Sequence, residues 1–259
     1  KGIPYGGSTT GANRFMPPTK PAAWTGVRDA FDYGPTAPQG NGSDTPRPGA
    51  PMQGEDCLVL NVFTPALTTG RRPVMVWLHG GGFSTGSGSS TITDGVSLAR
   101  TSDVVVVTIN HRLNVFGFTH LADRGELALS GSAGMLDIVA ALHWVRDNIE
   151  RFGGDPNLVT IFGQSGGGRK VATLMAMPDA KALFHRAIIE SGAVLRLTTP
   201  DDGTRATELL LTELGLKRGQ IRELQAVPMS RLLAANAAVQ GKIKAREPGM
   251  TANSPTIGS

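Results

Sequence analysis

Leu158-Val159-Thr160-Ile161-Phe162-Gly163-Gln164-Ser165-Gly166-Gly167 is the stretch on which the fold turns. Its first half is a short, apolar, β-branched run, the composition of a buried strand. Beyond the glycines, Lys170 to Met177 is rich in Ala, Leu and Met, which suit a helix. Ser165 therefore sits where a strand must turn sharply into a helix. Its side chain is forced outward beside the positive end of that helix. This is the physical content of a G-x-S-x-G nucleophile elbow, and it makes Ser165 a candidate nucleophile for acyl transfer.

Moving outward from the elbow, strands are predicted at 57–63, 73–78, 104–109 and 187–191. The run Pro73-Val74-Met75-Val76-Trp77-Leu78 is continuously apolar, as a central strand buried on both faces requires. Between them, 94–100 reads as a short helix with Asp94 near its start. Gly134 to Arg151 is the strongest helix: Leu136, Val139, Ala140, Leu142, His143 and Val145 form one stripe, with Arg146, Asp147 and Glu150 on a wet face. Gly153-Gly154-Asp155-Pro156 stops it. Helices at 204–216 and 229–240 are expected on the surface. Residues 1–54 read as loops, most turn-like at 37–43 and 46–51, and 242–259 as lacking any recognisable element. Asn41-Gly42-Ser43 has the form of a glycosylation acceptor, a pattern that also arises by chance. Strands alternating with helices predict an α/β fold, a mainly parallel sheet covered on both faces.

Composition narrows the function classes. The chain has 259 residues, 40% hydrophobic and 18% charged, enough for one large α/β domain or two small ones. No apolar run approaches the length needed to span a bilayer, and Lys1-Gly2-Ile3-Pro4 carries no secretory leader. The net charge of +4 is dispersed, without a basic stripe interleaved with aromatics, which argues against a nucleic-acid partner. Cys57 is the single cysteine, so neither an internal disulfide nor a thiolate metal cluster is available. No metal or cofactor is expected.

His79-Gly80-Gly81-Gly82-Phe83 follows the strand at 73–78 directly. Three glycines let a backbone approach a ligand closely and turn its N–H groups inward. Acyl transfer needs such donors, because negative charge builds on the carbonyl oxygen. Alone the motif would be a plain turn; with G-x-S-x-G downstream it reads as an oxyanion hole. A rival reading takes Gly163 and Gly168 as P-loop glycines. It fails because Arg169 and Lys170 stand where a P-loop needs Lys and Ser or Thr. Of the five histidines only His185 follows Ser165. With Asp179 as the only carboxylate between, that pair lies too close in sequence to reach Ser165 from separate strand ends. His79 and His111 at strand ends and His143 on a helix face read as packed or hydrogen-bonded structural residues.

Several motifs line up in order: Gly2-Ile3-Pro4-Tyr5, Arg14-Phe15, Glu55 to Val62, His79 to Phe83 and Asn110-His111-Arg112-Leu113. They continue with Phe152 to Pro156, the elbow, and Leu183 to Ile188. In these the chain closely resembles type-B carboxylesterases of the α/β-hydrolase fold, relatives of cholinesterases and bacterial para-nitrobenzyl esterases. The resemblance covers residues 2 to about 195 and is looser beyond.

It implies a serine hydrolase of small-molecule carboxylic esters, with Ser165 as nucleophile and Gly81, Gly82 and Gly166 as oxyanion donors. Ser191 would hydrogen-bond the catalytic acid. Arg14 with Glu55 and Arg112 with Asp137 would be structural ion pairs. Within the same resemblance, a non-catalytic cholinesterase-like binding module and a lipase or amide hydrolase remain alternatives. A secreted or periplasmic bacterial setting follows by analogy only.

Departures from the pattern are Gln164 for the usual Glu, Gly166 for Ala, and Ala37 in place of the partner of Cys57. Arg169 and Lys170 replace small residues at the helix start, where cations oppose the dipole. They suit a carboxylate-bearing substrate or, preferably, a solvated or structurally paired role. The family's acid and histidine lie beyond residue 259, and its N-terminal hairpin before residue 1. The resemblance thus implies that residues 1–259 are one α/β-hydrolase domain trimmed at both ends, completed by a second half in the same or a nicked chain. Exposed strand edges are expected on the isolated piece.

Overall fold

The computed structural model describes residues 1–40, 52–67, 71–121, 125, 127–246 and 253–258. The acceptor pattern at Asn41 and the turn-like stretch 46–51 lie outside them. Among the described residues six strands form one sheet: β1 (Ile3–Pro4), β2 (Val59–Phe63), β3 (Arg72–Leu78), β4 (Val105–Ile109), β5 (Gly154–Gln164) and β6 (Arg186–Glu190), in the order β1-β2-β4-β3-β5-β6. The pairs β4/β3, β3/β5 and β5/β6 are parallel, while β1 and β2 join antiparallel at one edge. The elbow strand begins earlier than its apolar run suggests, because Gly154 pairs with Arg72 across a register shift before the regular ladder from Val159.

Period-two alternation assigns the two faces of the sheet. Val74, Val76, Val105, Val107, Val159 and Ile161 point to one side, where they pack on α3 (Ala133–Asn148) and α4 (Gly166–Ala176). Phe63, Val104 and Val106 point to the other and meet Ala99 of α1 (Val96–Ser102), with Asp94 accepting from the Val96 N–H at its start. The runs Val74–Leu78 of β3 and Val105–Val107 of β4 are apolar throughout because these central strands have two covered faces.

The two surface helices expected near the C-terminal end form, each with one exposed and one buried face. α5 (Pro200–Leu214) and α6 (Met229–Arg246) bury Leu210, Leu214, Leu232 and Leu233 in a second apolar cluster, with Phe15 and with Phe116 of α2 (Asn114–Phe118). α6 also continues past the expected stop at 240 to Arg246, and Thr256 bridges to Thr198, so the described residues after 241 are not without structure. Residues 1–54 likewise contribute β1. Gly153 ends the 3-10 turn after α3 in the left-handed region, as the expected stop requires.

Both expected ion pairs form. Arg112 lies fully buried at the end of β4, with Nε and Nη2 on the two carboxylate oxygens of Asp137 at 2.9 and 2.6 Å. Arg14 grips Glu55 at 2.7 and 2.5 Å and also donates to the carbonyls of Leu224 and Val227, tying the start of the chain to the second cluster. Cys57 is a free, buried thiol, with burial pushing its pKa up. At the far edge, β6 leaves Ile188 and Ile189 exposed.

Candidate active site

The carboxyl ends of β3, β5 and β6 converge, with Leu78 opposite Gly163 and Gln164 opposite Glu190. In parallel sheets this end is where ligands bind. Ser165 follows Gln164 with φ 55° and ψ −118°, a backbone conformation that costs on the order of 1–3 kcal/mol and needs surrounding structure to hold it. That structure is present: the Ser165 N–H donates to the Glu190 carbonyl at 2.8 Å, and its carbonyl accepts from Arg169 at 3.1 Å. The glycines around it are dictated by crowding. A Cβ on Gly167 would lie 1.9 Å from the Leu78 oxygen, and one on Gly163 would lie 2.6 Å from the Gly167 carbonyl carbon.

Across from the elbow runs the turn after β3. Gly81 and Gly82 have φ of 88° and 64°, and the Gly81 carbonyl accepts from the amides of Ser84 and Thr85. Gly82 lies directly against the first residue of α4: a Cβ on Gly166 would come within 2.3 Å of the Gly82 nitrogen. Beneath the turn is Lys170, fully buried, whose Nζ donates to the carbonyls of His79 and Gly82 at 2.9 Å each and lies 5.6 Å from the centre of the Phe83 ring. Burial lowers its pKa to about 7. Of the two roles weighed for this cation, it is the structurally paired one that its hydrogen bonds describe.

Among the described residues none of the five histidines hydrogen-bonds Ser165. His79 Nδ1 donates to the Gly80 carbonyl and His111 Nδ1 to the Arg112 carbonyl, both at 2.8 Å, and the two rings stack at 5.0 Å. Burial, aided by the charge of Lys170, lowers His79 to about 3 and His111 well below its ordinary value, so both stay neutral. His185 accepts from the Val159 amide, six residues back along β5 from Ser165, or about 20 Å at strand spacing. This distance removes the Asp179–His185 pair that the sequence had already argued against. His143 lines a groove with Trp24 and Trp144 on α3, and His120 abuts Gly203 of α5. Among the described residues no group of three or more His, Cys, Asp or Glu side chains gathers as a metal site, and no helix is long and apolar enough to cross a membrane.

The model of the carboxylesterase family matches residues 1–259. The chain belongs to that family. It is 46% identical over 236 residues to the para-nitrobenzyl esterase of Bacillus subtilis (strain 168), covering 91% of this chain and 48% of that protein. It is 41% identical over 244 residues to the phenmedipham hydrolase of Pseudarthrobacter oxydans, covering 92% of this chain and 48% of that one. Among solved structures, a thermophilic para-nitrobenzyl esterase superposes with a TM-score of 0.91 at 42% identity, covering 99% of this chain and 53% of its own. The Geobacillus stearothermophilus carboxylesterase EST55 gives 0.87 at 43%, covering 99% and 51%. The fold is thus the α/β-hydrolase fold of carboxylesterases, and the chain spans about half the length of the curated relatives it matches.

Within this carboxylesterase chain, Ser165, Gly81, Gly82 and Gly166 are brought together at the strand ends. Ser191 sits just past β6 with φ 51°, next to Gly192, whose Cβ would lie 2.0 Å from the Ser165 carbonyl oxygen. Beside them opens a groove of about 680 Å³ lined by Phe83, Arg169, Leu195, Arg196 and Asp202 among others. Sequence reasoning missed Arg196 and Asp202, for no motif marks them. It noticed Lys170 as an oddity but not its place under the glycine turn.

Proposed function

We propose that the protein is a serine carboxylic-ester hydrolase working through an acyl-enzyme on Ser165. The observation that carries this reading is the strained elbow: Ser165 is held at φ 55° directly across from the glycine turn. Ser165 Oγ attacks the ester carbonyl carbon as a base removes its proton. The C–O bond to the alcohol breaks, the alcohol leaving with that proton. Water then adds to the acyl-enzyme and releases the acid, restoring Ser165. The N–H groups of Gly81, Gly82 and Gly166 receive the negative charge on the carbonyl oxygen, each donor worth about 3 kcal/mol in the transition state.

Among the described residues none of the five histidines hydrogen-bonds Ser165, and in this reading the base and its acid come from protein outside these 259 residues, in the same chain or a nicked partner piece. Ser191, just past β6, is assigned by the family resemblance to hydrogen-bond that acid. The ester occupies the groove beside Phe83. Family membership and the relatives named as esterases support the reading. In the protein at its native length, Ser165→Ala is expected to lower turnover of a chromogenic short-chain ester by about 10⁴-fold or more with the fold intact. Turnover retained by that variant would overturn the proposal.

A further inference from the structure

Lys170 is a buried cation that the ester chemistry above does not use. A lysine at full burial needs a reason, because removing an ammonium from water costs several kcal/mol unless strong acceptors replace the solvent. The acceptors here are two main-chain carbonyls, and both belong to the glycine turn: His79 at its start and Gly82 at its end. Charge-assisted hydrogen bonds of this kind are about twice as strong as neutral ones. The turn is therefore fastened at both ends to the fifth residue of α4, five residues along the chain from Ser165.

The same turn meets α4 at a second point. Gly82 lies so close to Gly166 that a Cβ there would approach its nitrogen, oxygen and Cα at 2.3, 2.4 and 2.5 Å, all backbone atoms that cannot swing away. Gly166 and Lys170 are also two of the positions where the sequence departs from the family pattern. Two departures four residues apart thus act on one turn. One draws it in, and the other leaves the space it is drawn into.

We propose that Lys170 is a positioning residue for the glycine turn, holding Gly82 against α4 through the His79 and Gly82 carbonyls, and that Gly166 is its necessary counterpart. The inference rests on the esterase reading for its kinetic consequences, though not for the coupling itself. Facing Lys170 are His79 at the end of β3 and His111 beyond β4, both held neutral by burial. With its own pKa lowered to about 7 by burial, Lys170 carries its proton below that pH and sheds it above, weakening its grip on the turn.

Three measurements on the native-length protein test this. Lys170→Met should lower kcat for a short-chain ester by roughly 10- to 100-fold with KM within about twofold, because the misplaced donors act only on the transition state. Gly166→Ala should cost about 100-fold in the wild type and about tenfold or less in the Lys170→Met background, where the turn is free to retreat. In the unmutated protein, exchange protection of the Ser84 and Thr85 amides, which bond the Gly81 carbonyl, should fall about tenfold from pH 6 to pH 9 after correction for intrinsic exchange. A folded Lys170→Met with kcat within twofold of wild type would overturn the proposal. So would equal costs of Gly166→Ala in both backgrounds, or protection indifferent to pH. The exchange arm needs neither a variant nor activity. If the wild type fails to hydrolyse any ester, the esterase reading falls while the positioning of the turn is still decided.

Discussion

Arg112 and Lys170 are two cations buried to the same degree a few residues past the ends of β4 and β5, the two strands that flank β3, and they are held in opposite ways. Arg112 has a carboxylate: burial alone would lower its pKa, but the charge and hydrogen bonds of Asp137 outweigh this and leave it raised. Lys170 has only carbonyls, and burial brings it to about 7. The first arrangement carries its charge at any working pH and fastens β4 to α3. The second is conditional, and it lies under the turn that faces Ser165. A planar guanidinium suits the two-oxygen grip of a carboxylate, whereas an ammonium can divide itself between two separate carbonyls. The permanent pair builds the scaffold, and the titratable one adjusts the site.

The comparison is most severely tested by removing one member of the permanent pair. Asp137→Asn should strip the charge facing a fully buried guanidinium and destabilise the native-length protein by about 3–5 kcal/mol, measured by urea unfolding. Next comes the pH dependence at Lys170. The unfolded chain keeps this proton to about pH 10.5, the folded protein only to about 7. Between those values the unfolded state binds more protons, so stability rises with pH, while below 7 the cost of the buried charge is present in full. Wild type should therefore gain stability relative to Lys170→Met as pH rises from 7 to 10, read from thermal midpoints. A gap that stays constant would mean Lys170 does not titrate in this window. Smaller again is Glu55→Gln, which leaves Arg14 with its two carbonyl acceptors and should cost about 1–3 kcal/mol. Smallest is the exposed Arg169→Ala, expected to change stability by less than about 0.5 kcal/mol.

What could be read from residues alone follows the same divide between local and distant causes. β3, β4 and β5 were legible because a strand buried on both faces must be apolar along its whole length, and α3 because its stripe repeats at helical spacing. The elbow was legible because Gly163 and Gly167 answer to crowding between neighbouring strand ends. What the buried faces of α5 and α6 pack against was not legible, since their partners Phe15 and Phe116 lie about a hundred residues or more away and no local pattern announces them. β1 escaped notice for a similar reason: two residues become a strand only through pairing with Val59 and Leu60. Lys170 shows the limit best. A lysine at a helix start reads as solvated, and only the turn after β3, some ninety residues earlier, supplies the carbonyls that bury it.

The central claim is that Ser165 is the nucleophile of an ester hydrolase. Its most direct test is covalent labelling of the native-length protein with a fluorophosphonate, followed by intact mass and peptide mapping. One adduct per molecule, located on Ser165 and absent from Ser165→Ala, is the predicted result. A fully folded protein that takes no label, or takes it elsewhere while hydrolysing esters, would contradict the account.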